Sequence, residues 1–259
     1  MTSAPVPRCT LVGAGPGDPE LLTLKAVKAL ASASVVLVDD LVHPAVLAHA
    51  APSARIVHVG KRGGCKSTPQ AFIHKLMVQA VRDGEDVVRL KGGDPFIFGR
   101  GGEEVEHLRA EGIEVEVING ITSGLAGLSS LGAPLTHRDH AHGVVFVTGH
   151  AKPGDAGPDW AALSHTARQA RLTLVVYMGV SSLGAIQRGL LQGLPAGTPV
   201  AIVQNASLPQ QRQALTTLGQ LESTMDREGL HSPSIIVVGD VVQGARAWQS
   251  GTEVQRQAA

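Results

Sequence analysis

A short loop in the first half of the chain combines five glycines with several charged side chains. It runs from Arg89 to Glu104 and reads RLKGGDPFIFGRGGEE, with the spacing of neither a helix nor a strand. Glycine costs backbone entropy, so such a run is typical of a backbone that approaches a ligand or takes positive φ. The loop therefore predicts a functional site. The alternative is an ordinary connection with tight turns.

Two charged residues, Asp39 and Lys61, follow neighbouring apolar segments and are candidates for moving protons. Asp39 comes directly after VVLV, and Lys61 comes one residue after IVHV. A carboxylate and an amine at adjacent strand ends can act as general base and general acid. The alternatives are a helix cap for Asp39 and a solvated charge for Lys61.

The first glycine-rich loop, from Gly13 to Asp18, differs from the common nucleotide-binding motifs. A dinucleotide fingerprint that starts at Gly13 needs its third glycine where Asp18 stands, and Asp39 and Asp40 come slightly late for a ribose clamp. No Gly-Lys-Ser or Gly-Lys-Thr phosphate loop is present either. The acidic-Gly-x-Gly pattern of common methyltransferases is also missing. These differences argue against a nicotinamide-dependent oxidoreductase and a P-loop enzyme.

Composition excludes several broad classes. The 259 residues include 22 basic and 22 acidic ones, so no general electrostatic attraction to nucleic acid is expected. No apolar run approaches the length of a membrane span, and the first residues lack a signal core. Cys9 and Cys65 lack metal-ligand spacing, although they could pair with each other. We expect a cytoplasmic protein without a metal, a membrane or a nucleic-acid partner.

These candidate residues must be positioned by a sheet, because the first half alternates apolar runs with helical patterns. Runs without polar alternation are typical of strands covered on both faces, so we expect a parallel sheet. The predicted strands are 10–13, 35–38, 56–59, 87–90 and 115–118. A helix is predicted from Pro19 to Ala33, a second starts at Thr68-Pro69 and stops at Gly84, and a third ends at Gly112.

The second half predicts another α/β domain. Strands are expected at 144–147, 174–177, 200–203 and 235–238, with an additional strand at 210–217 that would make this sheet mixed. Helices are expected from about residue 120 toward Leu131, near Trp160, and from Val180 to Leu191. We predict an N-terminal domain over residues 1–120, a C-terminal domain over 121–248, and a disordered tail over 249–259.

The unusual residues follow the strands, which predicts where ligands bind. Ligands of open α/β sheets lie beyond the carboxyl ends of the strands. In the first half these ends carry the two glycine loops, Asp39, Lys61 and Gly120 to Ser123. In the second half we expect Gly149-His150, Met178-Gly179, Gln204-Asn205 and Gly239-Asp240 at the corresponding edge. A cleft between the two domains is the predicted active site.

Four long segments together resemble the tetrapyrrole methylase superfamily, and within it the enzymes that methylate uroporphyrinogen III. They are VGAGPGDPELLT from Val12, the Arg89 to Glu104 loop, GITS from Gly120, and PLTHRD from Pro134. The resemblance covers nearly the whole chain in the right order. It implies two α/β domains, a homodimer, and S-adenosylmethionine as the methyl donor. The implied reaction methylates two ring carbons in turn, giving precorrin-2 by way of precorrin-1.

The resemblance also implies roles for individual residues. Asp39 matches the family's proposed proton acceptor, and Lys61 its proposed proton donor. The matching cofactor positions are Pro16, Gly92, Gly93, Asp94, Ile97, Thr122, Ser123, Met178 and Ala206. The substrate carries eight carboxylates, so the candidate partners in this otherwise neutral chain are Arg62, Lys91, Arg100, His137 and Arg138. Asn119 stands where the family usually has proline.

Three other functions remain open from the sequence. A methyltransferase of a later corrin precursor would share the first loop but generally not the whole Arg89 to Glu104 segment. A non-catalytic tetrapyrrole-binding homologue is disfavoured because Asp39, Lys61 and the Gly92-Gly93-Asp94 motif are all retained. An oxidoreductase is disfavoured by the glycine spacing. For the favoured function, the product could enter siroheme, cobalamin or haem d1 synthesis.

Overall fold

The computed structural model describes residues 8–60, 68–150, 154–155 and 157–245. The chain forms two compact units that divide between Thr122 and Ser123. Lys61, Arg62, Cys65 and the tail predicted at 249–259 lie outside the described residues. None of the described helices is both long enough and apolar enough to cross a bilayer.

The first unit contains the predicted parallel sheet. Its strands are β1 (Arg8–Gly13), β2 (Val35–Val38), β3 (Arg55–His58), β4 (Val87–Lys91) and β5 (Glu114–Ile118). They lie in the order β3-β2-β4-β1-β5, and every pair is parallel. The carboxyl ends of all five strands therefore lie at one edge, as predicted.

Helices cover both faces of this sheet. They are α1 (Leu24–Ser32), α2 (Gln70–Arg82) and α3 (Gly101–Ala110). One face carries a cluster that includes Leu11, Leu37, Met77 and Leu108, and the other a cluster that includes Val12, Leu30, Val36 and Leu90. Two buried faces explain why the strands are continuously apolar in sequence.

Two helix starts differ from the sequence prediction. The segment expected to be one helix from Pro19 to Ala33 is a short 3-10 helix, Pro19–Leu21, followed by α1. The break comes at Thr23, whose Oγ1 accepts the N–H of Ala26 at 3.1 Å and so caps α1. At α2 the residue before the helix is Pro69, and the Thr68 hydroxyl instead donates to the Gly60 carbonyl at 3.4 Å.

The second unit contains a mixed sheet, also as predicted. Its strands are β6 (Gly143–Thr148), β7 (Leu172–Tyr177), β8 (Pro199–Gln204), β9 (Arg212–Thr217) and β10 (Ser234–Val238), in the order β6-β7-β10-β8-β9. Its helices are α4 (Ser123–Ser129), α5 (Trp160–Ala170), α6 (Leu183–Leu190) and α7 (Leu221–Arg227). We did not predict α7, although Leu218, Leu221 and Met225 have helical spacing and are buried.

The direction of β10 corrects one prediction. β10 pairs antiparallel with both β7 and β8, and Ser234 lies opposite Gln204. Its carboxyl end therefore lies at the opposite edge of the sheet, where Gly239 N–H donates to the Pro199 carbonyl at 3.0 Å. Gly239 and Asp240 do not share an edge with Met178 and Asn205. The apolar pattern of a buried strand is the same in a parallel and an antiparallel pairing, so the sequence of β10 did not indicate its direction.

Candidate functional site

Three strand ends of the first unit meet backbone to backbone at the predicted site. A Cβ built on Gly13 would lie 2.5 Å from Gly120 N, and one built on Gly120 would lie 2.2 Å from the Gly93 carbonyl oxygen. No side chain fits at either position without moving the main chain. Glycine at the ends of β1, β4 and β5 therefore lets the first glycine loop, the Arg89 to Glu104 loop and the Gly120 loop approach each other.

Gly15 and Gly93 fix the conformation of the two glycine loops. They exchange main-chain hydrogen bonds, from Gly93 N–H to Gly15 O at 2.7 Å and from Gly15 N–H to Gly93 O at 3.2 Å. Their φ angles are +74° and +67°, in the region that favours glycine. Gly92 lies against Leu41, since a Cβ on Gly92 would come within 2.8 Å of Leu41 Cβ. The predicted cofactor segment is thus a defined turn.

The carboxylate of Asp94 holds this turn to the end of β5. Its Oδ1 accepts the N–H of Phe96 at 2.8 Å, while Oδ2 accepts the side-chain amide of Asn119 and the N–H of Gly120, both at 3.1 Å. Asp94 is 6% exposed. Asn119, at the position where the resembled family usually has proline, thus adds a bond to the loop. Asp94 shapes the predicted site, and a direct contact with the cofactor stays a prediction.

Four charged side chains form a largely buried cluster at the same edge of the sheet. Arg89 on β4 is 1% exposed and contacts Asp39 (Nη2–Oδ1, 2.5 Å) and Glu104 (Nε–Oε1, 3.1 Å). Lys91 places its ammonium 2.9 Å from Glu104 Oε2 and 3.6 Å from Asp39 Oδ2. Residues two apart on a strand face the same side, so β4 presents both cations to both carboxylates. We name these four residues the buried ion cluster; it pairs two cations with two anions.

Arg89 fixes the end of β2 as well as the side chain of Asp39. Its Nη1 donates to the carbonyls of Leu37 and Leu90, both at 3.3 Å. Each nitrogen of the guanidinium therefore has an acceptor, which a buried arginine requires. The Asp39 side chain keeps 29% exposure. The predicted proton acceptor is thus held from its buried side and open on the other.

Lys91 occupies a different place from the one that its predicted role suggests. It is 3% exposed, and the pKa of its ammonium is lowered. Burial and the nearby Arg89 lower this pKa by more than Glu104 and Asp39 raise it. Its ammonium faces Glu104, inside the unit. Lys91 as a partner of a substrate carboxylate stays a prediction, and one that requires the ammonium to leave Glu104.

Arg100, another predicted substrate partner, lies on the surface before α3. Its guanidinium bonds both oxygens of Glu103, at 3.0 Å and 2.5 Å, and this bond raises the pKa of Arg100. The side chain is 56% exposed, so water competes for the pair, and contact with a substrate carboxylate stays a prediction. Arg62, the third basic candidate of this unit, lies outside the described residues, as does Lys61.

The remaining predicted cofactor residues of the first unit are Pro16, Ile97 and Thr122. Pro16 is half-buried beside Gly15, and Ile97 is half-buried in the turn that Asp94 begins, where Ile97 N–H donates to the Asp94 carbonyl at 3.3 Å. Thr122 is 5% exposed, and its Cα lies 3.8 Å from the position of a Cβ on Gly93. Ile97 therefore lies within the loop that the sequence singled out, and Thr122 lies beside it.

In the second unit, Tyr177 ties the start of α4 to the end of β7. Its hydroxyl accepts the N–H of Gly124 at 2.8 Å, next to the predicted cofactor residue Ser123. The following residue, Met178, has φ +51° and is 47% exposed, which is unusual for a large apolar side chain. Ala206 is 6% exposed and lies between Asn205 and Ser207, both at positive φ. Sequence reasoning did not identify Tyr177.

His137 and Arg138 lie on an exposed turn of the second unit. His137 and Ala141 form an isolated bridge, and the His137 ring contacts the ring of His140, with centroids 4.7 Å apart. The N–H of Asp139 donates to His137 Nδ1 at 3.1 Å. The turn presents both predicted substrate partners to solvent. Their role stays a prediction.

Three residues of the first unit at the buried ion cluster were not site candidates from the sequence. Arg89 on β4 is one of them. Glu104 on α3 belongs to the cluster, and Gln70 on α2 donates to Glu104 Oε1 at 3.0 Å. The sequence feature that could have identified Glu104 is a carboxylate in the first turn of a helix, directly after the loop predicted to be functional. Gln70 gave no comparable signal, because its partner is 34 residues away. Among the described residues, no group of three or more histidine, cysteine or acidic side chains is arranged to hold a metal ion.

Comparison with known proteins decides the family. The model of the family Tetrapyrrole (Corrin/Porphyrin) Methylases matches residues 8–222. The chain belongs to the tetrapyrrole methylase family. This confirms the resemblance inferred from the four sequence segments.

Individual relatives of this tetrapyrrole methylase are similar over most of its length. The uroporphyrinogen-III C-methyltransferase of Pseudomonas aeruginosa is 55% identical over 234 residues, which cover 90% of this chain and 93% of the relative. The siroheme synthase of Azotobacter vinelandii is 47% identical over 94% of this chain but only 52% of its own length. The crystal structure of uroporphyrin-III C-methyl transferase from Thermus thermophilus with S-adenyl homocysteine has a TM-score of 0.76 and 44% identity, covering 91% of this chain and 99% of that one.

Proposed function

We propose that this tetrapyrrole methylase transfers methyl groups from S-adenosylmethionine to two ring carbons of uroporphyrinogen III, giving precorrin-2 by way of precorrin-1. The observation that carries the proposal is the 55% identity, over 90% of the chain, with a uroporphyrinogen-III C-methyltransferase. The structure of uroporphyrin-III C-methyl transferase from Thermus thermophilus, 44% identical, holds S-adenyl homocysteine, the demethylated form of the same methyl donor. Function on a given fold depends on its site, so the residues of the site must also fit.

The described loops fit a cofactor of this kind. Gly93 leaves space for a ligand, since the nearest atom to a Cβ built there would be 3.8 Å away, while its own N–H and carbonyl are bonded to Gly15. Other main-chain N–H and carbonyl groups of these loops would suit a ligand that carries a carboxylate, an amine and ribose hydroxyls. We assign Pro16, Gly92, Gly93, Ile97 and Thr122 to cofactor binding, with Asp94 holding their loop in shape.

When bound, S-adenosylmethionine supplies a methyl group that is already activated as a sulfonium. The chain then needs to align the reacting carbon and to manage a proton, not to provide a nucleophile. Asp39 is proposed to accept the proton, since its carboxylate is fixed by Arg89 and Lys91 and remains 29% exposed. Lys61 is proposed as the proton donor on the evidence of its sequence position.

The second unit contributes further proposed contacts. Met178 is 47% exposed and offers a polarizable apolar surface, and Ser123 and Ala206 are its proposed partners in cofactor binding. Arg62, Arg100, His137, Arg138 and, if it leaves Glu104, Lys91 are proposed to bind carboxylates of the tetrapyrrole. We further propose a cytoplasmic homodimer that has no nucleic-acid or membrane partner and supplies siroheme, cobalamin or haem d1 synthesis.

The test is anaerobic incubation of the purified chain with uroporphyrinogen III and S-adenosylmethionine, followed by mass spectrometry of the product. We expect a gain of two methyl groups, with a transient product that carries one. The matched control omits S-adenosylmethionine. If the chain binds S-adenosylmethionine but leaves uroporphyrinogen III unchanged while it methylates a later corrin precursor, the proposed substrate is wrong.

A further inference from the structure

A glutamine at the start of α2, Gln70, contacts the buried ion cluster through Glu104. Gln70 Nε2 lies 3.0 Å from Glu104 Oε1 and donates to it. The same oxygen of Glu104 accepts from Arg89 Nε and from Lys91 Nζ, both at 3.1 Å. Three donors from α2 and β4 therefore converge on one carboxylate oxygen of α3.

Glu104 stands between Gln70 and the predicted proton acceptor. It is 0% exposed and contacts the two cations that contact Asp39. A buried carboxylate that shifts its position takes its cation partners with it, because an unpaired charge is costly in the interior. The position of Glu104 thus sets where Arg89 and Lys91 hold Asp39.

Gln70 is itself held on its other side by His74, one turn further along α2. Gln70 Nε2 lies 3.2 Å from His74 Nε2, and the His74 ring stacks on His107 of α3 with centroids 4.5 Å apart. Burial, followed by the neighbouring His107, lowers the pKa of His74. A neutral imidazole can accept the second amide hydrogen of Gln70. The two hydrogens of one amide group are therefore shared between His74 and Glu104.

We infer that Gln70 is a positioning residue, which acts through Glu104, Arg89 and Lys91 to hold the carboxylate of Asp39 in place for proton transfer. The inference rests on the proposed function, because it gives Asp39 a role in turnover. Neither hydrogen bond described for Gln70 goes to Gly92, Gly93 or Asp94. Its loss is therefore expected to affect turnover and to leave cofactor affinity unchanged.

The test replaces Gln70 by methionine, which is unbranched, of similar length, and has neither amide hydrogen. Gln70→Met should lower kcat at least about tenfold, because small displacements of a catalytic group are costly. The Kd of S-adenosylhomocysteine, measured by calorimetry, should stay within about twofold of the wild type, whereas a general structural defect would change both.

The matched control lies on the same helix. Gln79 donates to Asp83 Oδ1 at 2.8 Å, on the exposed side of α2 and away from the buried ion cluster. Gln79→Met also loses one bond to a carboxylate and should keep the wild-type kcat. An equal fall of kcat in both variants, or an unchanged kcat in Gln70→Met, would overturn the inference and leave the proposed function intact. Absence of turnover in the wild type would instead overturn both.

Discussion

At the scale of single residues, the structure gives several predicted site residues a structural task. Asp94 was expected to bind the cofactor, but its two oxygens accept three hydrogen bonds from the protein. Lys91 was expected to meet the substrate, but it pairs with Glu104. A charged residue beside a glycine loop can therefore hold the loop in its conformation instead of contacting the ligand. A variant is needed that distinguishes these two roles.

The prediction at this scale concerns Asp94 and Asn119. Asp94→Asn sets an amide N–H against a main-chain or side-chain donor whichever way it turns, so it should lower the free energy of unfolding by about 1–3 kcal/mol. It should also weaken the binding of S-adenosylhomocysteine, because the loop loses its shape. Urea denaturation and calorimetry measure the two effects.

Asn119→Ala distinguishes the two roles of Asp94, holding the loop and contacting the cofactor. It removes one hydrogen bond to Asp94 and leaves the carboxylate in place. We expect a loss of about 1 kcal/mol in unfolding free energy and a smaller decrease in affinity than in Asp94→Asn. If Asn119→Ala binds S-adenosylhomocysteine with wild-type affinity and Asp94→Asn has wild-type stability, Asp94 does not hold the loop in its conformation.

At the scale of elements, the close approach of three strand ends decides what the site can tolerate. Gly13, Gly93 and Gly120 meet through main-chain atoms, so the loops after β1, β4 and β5 cannot be changed independently. Substitution of Gly120 is expected to be more damaging than substitution of a glycine in open space. All three loops carry predicted cofactor residues.

The prediction at this scale is that Gly120→Ala destabilises the first unit and abolishes cofactor binding. The new Cβ would meet main-chain atoms at 2.2 Å, which forces the backbone apart. Gly102→Ala is the control, since a Cβ there has nothing within 4 Å and lies in α3, where alanine is favoured by about 1 kcal/mol. Thermal denaturation compares them, and an equal melting temperature for Gly120→Ala and the wild type would refute the argument.

At the scale of the whole molecule, a ligand that binds only the folded chain stabilises it. At 100 times its Kd, S-adenosylhomocysteine should add about 2.7 kcal/mol to the free energy of unfolding. For a chain of this size, each kcal/mol raises the melting temperature by about 2–4 °C. Thermal denaturation with and without the ligand measures the shift.

The control for this prediction is NAD⁺, which should leave the melting temperature unchanged, because the first loop has Asp18 where a dinucleotide fingerprint needs glycine. A shift with NAD⁺ and none with S-adenosylhomocysteine would return the oxidoreductase to consideration. The comparison therefore tests the cofactor without the oxygen-sensitive tetrapyrrole.

The sequence by itself determined the two α/β architectures, the alternation of helices and strands that gives the first unit its parallel sheet, and the glycine-rich loops at the carboxyl ends of those strands. It could do so because strands buried on both faces must be apolar, whatever their neighbours, and because glycine is required where main chains meet. The break before Thr23 was missed, since a helix start depends on one side-chain bond. The helix α7 was not predicted, although its apolar residues have helical spacing in the sequence.

Only the tertiary structure decided the direction of β10 and the partners of the polar groups. Arg89 contacts Asp39 across 50 residues, Gln70 contacts Glu104 across 34, and Asn119 contacts Asp94 across 25. The first contact exists because the strand order places β4 beside β2, the second joins α2 to α3, and the third joins the loops after β4 and β5, arrangements that no local pattern encodes. Residue types show which groups can do chemistry, and the packing of the elements decides which of them meet.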